Sequence, residues 1–379
     1  MTKLRHVIGI SGGKDSAALA IHLRDKYPKL ELIYYFCDTG KELDETYQLI
    51  ESLEGYLGKP ITKLESEEAA QSGKNPFDFY YNSYKGYLPN NVARWCTRKM
   101  KLEPFEKFVG DSPAVSYVGI RGDEDREGYI STKSNIQSIF PFRKNIWSEE
   151  VITSVLSNSN RNEISDIYAT LINGSDLDRV TSVVNKELRL FGRNQEPKRT
   201  DMMDKLDTLL YVDVVTFNHV VFKFLKTRNY PLSFEEDYPL LNDGQVLVRD
   251  DIFKILRDSG VGVPGYYEKL DYEVNGEIGQ YARSRSGCYF CFFQQKIEWV
   301  WLYEQHPDLY QQAMEYENEK EGFTWNQHES LQDLLNPRRM KQIKADHLKR
   351  MNKEKSKGSK FLIDILDDTE SEGCTACFI

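Results

Sequence analysis

Six consecutive residues near the start of the chain combine two hydroxyls, two glycines, a lysine and an acid: Ser11-Gly12-Gly13-Lys14-Asp15-Ser16. Glycines let backbone N–H groups approach an anion closely, and a lysine side chain adds a full positive charge. We therefore predict a solvated loop that binds phosphate. The run is not a Walker A loop, because one residue too few separates its outer glycines and Asp15 stands where Ser or Thr would hold magnesium.

A second polar cluster, Asp38-Thr39-Gly40-Lys41-Glu42, directly follows a predicted strand. A carboxylate at a strand end beside a phosphate loop is suited to hydrogen-bond a ribose or to hold Mg²⁺. The alternative is a helix cap, in which Asp38 caps the helix that is predicted to begin near Leu43.

Cys96 has four cationic neighbours in the run Arg94-Trp95-Cys96-Thr97-Arg98-Lys99-Met100-Lys101. Nearby cations lower the pKa of a thiol, and the resulting thiolate is both a nucleophile and a soft metal ligand. We therefore expect Cys96 to be functional and the cations, Lys101 among them, to suit an anionic substrate. A buried, inert cysteine is the alternative.

A Cys-x-x-Cys pair, Cys288 and Cys291, brings two sulfurs within reach of one metal or one redox reaction, and Cys374 with Cys377 repeats the spacing. Three arrangements remain open. Cys96, Cys288 and Cys291 hold an iron–sulfur cluster with one iron open, the four paired cysteines hold zinc, or the last pair is a mobile dithiol that regenerates the site.

Arg121 follows the strand predicted over Ala114–Ile120, and Arg126 comes shortly after it. Arginine binds phosphate through two parallel hydrogen bonds, so Arg121 is a candidate clamp for an α-phosphate or a pyrophosphate. The acids between the two arginines offer the alternative of a surface ion-pair cluster.

Strands and helices alternate through the first 140 residues. The predicted strands are His6–Ile10, Leu30–Phe36, Ile61–Leu64 and Ala114–Ile120. Alternation of this kind indicates a doubly wound, mostly parallel α/β sheet with helices on both faces. Ligands of such sheets bind at the carboxyl ends of the strands, where the residues described above fall.

Three regions are predicted. Residues 1–147 and 236–316 form the nucleotide-binding domain, residues 148–235 form a helical insertion, and residues 317–379 form a helical basic segment with a polar tail. Within the tail, residues 337–360 hold ten basic residues against two acidic ones. That segment is either a contact for nucleic acid or an acidic partner, or a solvated helix face.

The composition of the 379-residue chain, 40% hydrophobic and 29% charged, is that of a globular protein. No apolar run is long enough to span a membrane and no signal peptide is apparent, so we expect a cytoplasmic protein without membrane contact. Disulfides are rare in that compartment, so the six cysteines are better explained as ligands, redox groups or core residues. The net charge of −9 argues against non-specific nucleic-acid binding by the whole surface.

Taken together, these runs resemble the phosphoadenosine phosphosulfate (PAPS) reductase-like branch of the PP-loop ATP-pyrophosphatase superfamily, whose loop signature is Ser-Gly-Gly-x-Asp-Ser. The other matching residues are Asp38-Thr39-Gly40, Arg94–Thr97 with Lys101 and Pro104, Gly119–Arg121 with Arg126, Pro141-Phe142 with Trp147, and Gly287–Cys291. The resemblance covers residues 1–147 and 240–316 and implies an adenine nucleotide alpha hydrolase-like fold.

Two departures favour ATP as the substrate. PAPS reductases have a degraded glycine loop and a C-terminal Glu-Cys-Gly-x-His motif, whereas this chain has the intact loop and lacks that motif. The intact loop, Arg-Trp-Cys-Thr and a later Cys-x-x-Cys are similar to the ATP-pyrophosphatase of DNA-phosphorothioation systems. That resemblance implies a [4Fe–4S] cluster and sulfur delivery to nucleic acid in antiphage defence.

The resemblance thus implies an ATP-dependent sulfurtransferase that forms AMP and pyrophosphate, with Lys14, Cys96 and Arg121 as catalytic residues. The residues implied to bind the nucleotide and Mg²⁺ are Ser11, Gly12, Gly13, Lys14, Asp15, Ser16, Asp38, Thr39, Gly40, Lys101 and Arg126. Cys96, Cys288 and Cys291 would hold the cluster, with Zn²⁺ as the alternative. The expected partners are a nucleic-acid or small anionic acceptor and a sulfur donor such as a cysteine desulfurase. A sulfonucleotide reductase and a nucleotide-binding regulator without turnover are the alternative functions.

Overall fold

The computed structural model describes residues 3–124, 131, 133–192, 196–326 and 329–356. Within these ranges the strands are β1 (Arg5–Gly9), β2 (Leu32–Cys37), β3 (Ile61–Leu64), β4 (Ala114–Tyr117), β5 (Ile136–Ile139), β6 (Leu190–Phe191), β7 (Glu196–Pro197), β8 (Leu270–Val274) and β9 (Glu277–Tyr281). The described α-helices are α1 (Lys14–Lys26), α2 (Asp44–Leu57), α3 (Glu67–Ser72), α4 (Pro76–Ser83), α5 (Trp95–Thr97), α6 (Glu103–Val109), α7 (Glu149–Leu156), α8 (Arg161–Ala169), α9 (Gly174–Asn185), α10 (Arg199–Val212), α11 (Val214–Lys226), α12 (Arg249–Asp258), α13 (Lys296–Gln305), α14 (Pro307–Glu315), α15 (Leu331–Leu334) and α16 (Pro337–Ser356).

Five strands form the central sheet in the order β3-β2-β1-β4-β5. The registers of β1 with β4, β2 with β3 and β4 with β5 are all parallel, as alternating strands and helices require. The predicted doubly wound, mostly parallel α/β class is confirmed. The four predicted strands are present, each within a few residues of its predicted bounds.

Strand β5 was not predicted from the sequence. Its four residues, Ile-Gln-Ser-Ile, do not alternate between apolar and polar, and all four are buried, Gln137 and Ser138 included. The Gln137 side-chain oxygen accepts a hydrogen bond from the Leu232 N–H at 3.0 Å, which offsets the desolvation of the amide. The hydrogen-bond partner of Gln137 lies 95 positions away in the chain. A local sequence pattern therefore could not show that this polar residue belongs to a buried strand.

The described residues divide into two compact units. The first comprises Met1–Ile8, Leu23–Ile33 and Asp111–Val248, and the second comprises Gly9–His22, Tyr34–Gly110 and Arg249–Ile379, each in its described part. The phosphate loop, the Asp38 cluster and the described cysteines all fall in the second unit, whereas Arg121 falls in the first. The three-region division predicted from the sequence stays a prediction.

The predicted helical insertion, residues 148–235, contains α7 to α11 and the short strands β6 and β7. The run Met202–Leu225, which has helical spacing throughout, is divided between α10 and α11, which meet at an angle of 117°. Asp213 causes the break, because its carboxylate accepts the N–H groups of Val215 and Thr216 and caps α11. Among the described residues no single helix is long and apolar enough to cross a membrane. Only the bent pair of α10 and α11, taken together, reaches the length and apolar composition of a membrane span.

An aromatic core supports the second unit. Phe77 at the start of α4 packs against Trp95, Phe290 and Trp325, with ring centroids 4.5 to 6.2 Å apart. Ring pairs at these separations contribute beyond the area that they bury. Helix α5, which carries Cys96, and the turn that carries Cys288 and Cys291 both pack on this core.

Candidate functional site

The phosphate loop connects β1 to α1, and α1 begins at Lys14. Gly12 has φ = +73°, a conformation that residues with a Cβ rarely adopt. A Cβ added to Gly12 would also lie 2.2 Å from the Thr46 methyl group, so space as well as conformation requires glycine. The loop therefore has the strand–turn–helix geometry that places backbone N–H groups and the positive end of a helix dipole at an anion site.

The two serine hydroxyls hold the loop closed. Ser16 Oγ accepts the Ser11 N–H at 3.1 Å and donates to the Gly13 carbonyl oxygen at 3.1 Å. Ser11 Oγ lies a further 3.1 Å from Ser16 Oγ. The predicted hydroxyl donors thus shape the loop, and only Ser11 is partly exposed.

Lys14 is buried, which corrects the prediction of a solvated loop. Its side chain is 1% exposed, with Nζ 3.2 Å from Asp15 Oδ2 and 4.9 Å from the centroid of the Tyr267 ring. A buried ammonium group is tolerable because the carboxylate and the ring face both stabilise the charge. The loop therefore carries a positive charge that solvent screens little.

Residues far along the chain contact the loop. Tyr266 Oη donates to the Gly12 carbonyl oxygen at 3.0 Å, and Tyr267 Oη accepts the Lys14 N–H at 3.4 Å. Ser286 Oγ donates to the Ser11 carbonyl oxygen at 3.3 Å. The sequence analysis missed Tyr266, Tyr267 and Ser286, because no local pattern marks a residue that packs on a loop more than 250 positions earlier.

Asp38 is buried at the end of β2. Its Oδ1 accepts the Gly40 N–H at 2.7 Å and the Tyr47 hydroxyl at 2.9 Å, while Oδ2 pairs with Lys63 Nζ at 2.7 Å. The residue that caps α2 is Leu43, so Asp38 forms a local turn and does not cap that helix. Burial, followed by the charge of Asp38, raises the pKa of Tyr47. The predicted contact of Asp38 with ribose or Mg²⁺ stays a prediction.

Thr39 joins the Asp38 cluster to the Cys-x-x-Cys pair. Its hydroxyl donates to Glu42 Oε1 at 2.9 Å and lies 3.1 Å from Cys288 Sγ, which in turn is 3.9 Å from Glu42 Oε1. Glu42 Oε2 is buried and has no hydrogen-bond partner among the described residues. Burial raises the pKa of both the Cys288 thiol and the Glu42 carboxyl. Glu42 belongs to the polar cluster that the sequence analysis singled out, but no role was predicted for it.

Cys96 lies half-buried in α5, and three of its four neighbouring cations have other partners. Arg98 Nε and Lys99 Nζ pair with Glu103 at 3.1 and 2.8 Å, and the Arg94 guanidinium lies 5.0 Å from the centroid of the Phe293 ring. Much of the local positive charge is therefore engaged elsewhere. The predicted thiolate character of Cys96 stays a prediction, as does an anion contact of Lys101.

The described part of the chain contains no group of three or more His, Cys, Asp or Glu side chains placed to hold a metal ion. Cys288 and Cys291 do share one turn, in which the Cys291 N–H donates to the Cys288 carbonyl oxygen at 3.1 Å. Cys374 and Cys377 lie outside the described residues. The three-cysteine cluster, the four-cysteine zinc site and the mobile dithiol therefore all stay predictions.

Arg121 is fully buried in the first unit. Its Nε pairs with Asp123 Oδ1 and its Nη2 with Glu124 Oε1, both at 3.0 Å. The arginine is thus held in an ion-pair cluster, as the alternative interpretation predicts, although the cluster is buried. Its role at an α-phosphate stays a prediction, and Arg126 lies outside the described residues.

Two kinds of comparison bear on this geometry. Residues 5–158 match the family model described as "Phosphoadenosine phosphosulfate reductase domain". The chain is similar to the uncharacterized protein MJ0066 of Methanocaldococcus jannaschii, with 30% identity over 149 residues that make up 35% of this chain and 28% of that protein. It is also similar to the uncharacterized nin region protein ORF290 of Escherichia phage lambda, with 27% identity over 143 residues, 32% of this chain and 49% of that protein.

The chain thus spans less than half the length of each of these relatives. The matched range contains the phosphate loop, the Asp38 cluster, Cys96 and Arg121, and it ends well before Tyr267 and Cys288. Residues 5–158 therefore form a PAPS reductase domain of the PP-loop superfamily.

Proposed function

We propose that this protein binds ATP on the loop of residues 11–16 and cleaves it between the α- and β-phosphates, transferring AMP to an acceptor. The observation that carries the proposal is the closed, glycine-dependent loop with Lys14 buried at the N-terminus of α1. An intact loop of this kind favours splitting of ATP over reduction of a phosphosulfate.

In this reaction an acceptor oxygen attacks the α-phosphorus and the bond to the β-phosphate oxygen breaks. The loop N–H groups and the Lys14 ammonium stabilise the negative charge that develops on the departing pyrophosphate. The Asp15 and Asp38 carboxylates have the oxygen donors that Mg²⁺ prefers, and a bound Mg²⁺ would neutralise phosphate charge. The terminal sulfur of a persulfide then displaces AMP, which leaves a disulfide between the acceptor and the sulfur carrier. A second thiol cleaves that disulfide, so that one sulfur stays on the acceptor and the carrier thiol leaves joined to the second thiol as a new disulfide.

The sulfur donor that we propose is a persulfide carried by a partner such as a cysteine desulfurase. The contact of Cys288 with Thr39 supports delivery near the nucleotide cluster. We assign the cysteines no metal in these steps, since the described residues bring no three such ligands together. Binding of a [4Fe–4S] cluster or Zn²⁺ by Cys96, Cys288 and Cys291, and a role in phosphorothioation or defence, stay predictions.

The acceptor that we propose is nucleic acid, and helix α16 supports this choice over a small anion. Arg339 and Lys344 pair with Glu329 and Glu304, on the packed side of the helix. Four other cations, all exposed, fall within about 120° of one another and extend along about 22 Å of the helix, whereas the exposed Arg350 lies outside this arc. The four are Arg338, Lys341, Lys349 and Lys353. A row of this kind suits the phosphates of one nucleic-acid strand.

A second candidate, a sulfonucleotide reductase, draws support from the family of the matched domain and from the Cys288–Cys291 pair. Products separate the candidates. ATP cleavage yields AMP and pyrophosphate, the reductase yields sulfite from a sulfonucleotide, and a regulator without turnover yields neither.

The test incubates the purified full chain with ATP, Mg²⁺ and single-stranded DNA or RNA, and in parallel with PAPS and a dithiol. Lys29→Ala, at an exposed lysine, is the control for Lys14→Ala.

A further inference from the structure

The phosphate loop is contacted by residues that lie outside the matched domain. Residues 5–158 contain the loop, but Tyr266, Tyr267 and Ser286 from later in the chain contact Gly12, Lys14 and Ser11. All six residues belong to the second unit. The loop geometry therefore depends on chain that the family domain does not include.

Tyr267 contacts both groups of Lys14 that bind anions. Its hydroxyl accepts the Lys14 backbone N–H at 3.4 Å, and its ring lies 4.9 Å from Lys14 Nζ. That N–H belongs to the first turn of α1, where backbone N–H groups have no partner within the helix. One side chain thus holds both the backbone of the first turn of α1 and the Lys14 charge that a phosphate would use.

The backbone around Tyr267 is itself held in place. Residues Gly265–Tyr267 form one turn of 3₁₀-helix, and the Arg283 N–H donates to the Tyr266 carbonyl oxygen at 2.9 Å. The rings of Tyr266 and Tyr267 pack with centroids 4.6 Å apart. Tyr267 therefore approaches the loop from a fixed support and not from a free chain.

Ser286 limits the space beside the loop. A Cβ added to Gly13 would lie 2.5 Å from Ser286 Oγ and 3.2 Å from Tyr267 Oη. The two hydroxyls thus flank the Gly13 backbone, and Ser286 also donates to the Ser11 carbonyl oxygen. Both ends of the Ser11–Lys14 turn are consequently set by residues from beyond position 260.

We propose that Tyr267 and Ser286 are positioning residues of the phosphate site, which set the orientation of the loop N–H groups and of the Lys14 charge. The proposal rests on the proposed function, since it assigns these residues to the same anion site. It predicts that the PAPS reductase domain alone is an incomplete phosphate-binding unit in this protein.

The test uses the full chain and four variants: Tyr267→Phe, Tyr267→Leu, Ser286→Ala and the control Tyr272→Phe. Tyr272 is a buried tyrosine of the same unit, and its hydroxyl bonds to the Lys344 carbonyl oxygen and to His347 Nδ1, away from the loop. Binding of inorganic pyrophosphate and of ATP is measured by calorimetry, with KM, kcat and the thermal midpoint in parallel.

Tyr267→Phe should weaken pyrophosphate binding by about 2- to 10-fold, the effect of one neutral hydrogen bond. Tyr267→Leu should weaken it further and lower kcat, because the ring that holds the Lys14 ammonium is lost. Ser286→Ala should behave like Tyr267→Phe, and Tyr272→Phe should bind as the native chain does. The loop variants should keep a thermal midpoint close to that of Tyr272→Phe.

The inference would be overturned if both Tyr267 variants kept the native pyrophosphate affinity, KM and kcat. The proposed ATP cleavage would not be affected by that result. The inference would also be overturned if Tyr272→Phe lost as much affinity as the loop variants and every loss followed a fall in the thermal midpoint. Tyr267 and Ser286 would then have only a structural role. Binding of pyrophosphate without ATP cleavage in the native chain would overturn the proposed function alone. A native chain that binds neither anion would overturn both.

Discussion

The thiol of Cys288 lies 3.1 Å from the hydroxyl of Thr39, a residue 249 positions earlier in the chain. Two residues before Cys288, Ser286 contacts the phosphate loop at Ser11. The cysteine turn, the Asp38 cluster and the loop are therefore one continuous network of contacts. Substitutions in any of the three should therefore affect nucleotide binding and sulfur chemistry together.

Gly13→Ala should destabilise the loop, because its Cβ would lie 2.5 Å from Ser286 Oγ. Overpacking of this kind costs about 1–3 kcal/mol, and pyrophosphate binding should fall with it. The cost should be smaller in the Ser286→Ala background, where the closest hydroxyl is absent. Denaturant unfolding and pyrophosphate titration of the single and double variants measure the difference. Equal costs in both backgrounds would show that Ser286 does not limit the space.

The presence of the six-residue loop could be predicted because its own residues mark the turn. Gly12 supplies the positive φ, and Ser16 bonds back to Ser11 and Gly13, so a short run identifies the turn in the sequence. The burial of Lys14 could not be predicted in the same way, since Tyr267 covers it from a distant turn.

The cysteines show a second limit of sequence reasoning. The four cations that flank Cys96 in sequence predict a thiolate, but Glu103 pairs with two of them. Glu42, in contrast, lies beside Cys288, a contact between two segments 246 positions apart. Composition near a residue in sequence does not specify which charges its side chain faces once the chain has folded.

The iron–sulfur cluster predicted from the sequence has a direct test in anaerobically purified protein. Replacing Cys96, Cys288 or Cys291 by Ala should abolish bound iron and visible absorbance together, because thiolate ligands act as one set. Replacing Cys374 or Cys377 should leave both signals. A native protein without iron would contradict the cluster and agree with the described geometry, in which no three ligands meet.

Glu329 should make stability depend on pH in the acid range. Hydrogen bonds from Arg339, and then Lys296, lower the pKa of Glu329 to about 2. A carboxyl whose pKa is lowered by folding contributes stability above its unfolded value, and the contribution is lost as pH falls toward the folded value. Glu329→Gln should therefore lower the free energy of unfolding at pH 7 and have little effect near pH 2. An equal effect at both pH values would contradict the ion-pair account.

Nucleic-acid binding should depend on the exposed cations of α16. Replacing Arg338, Lys341, Lys349 and Lys353 by Gln should reduce the slope of log K against log salt by up to about 3 for single-stranded DNA, since each neutralised phosphate contributes about 0.7. Fluorescence anisotropy over a salt series measures the slope.

Replacing four exposed lysines elsewhere is the matched control: Lys29, Lys59, Lys74 and Lys144. The control should retain the native slope because a change in net charge alone does not remove a contact. Equal slopes in both quadruple variants would indicate that the cations of α16 form a solvated helix face and do not contact nucleic acid. Binding of an acidic protein in place of nucleic acid would contradict the proposed acceptor.

Release of AMP and pyrophosphate from ATP tests the central claim most directly, with Lys14 as the residue under test. Lys14→Ala should lower turnover by roughly 10- to 100-fold, because one charge-assisted phosphate contact is worth about 1.5–3 kcal/mol. Lys14→Met, which keeps the packing on Tyr267, should lose as much activity with a smaller change in thermal midpoint. Lys29→Ala should cleave ATP as the native chain does. Native turnover in Lys14→Met, or a native chain that releases no AMP with any acceptor tested, would contradict the account.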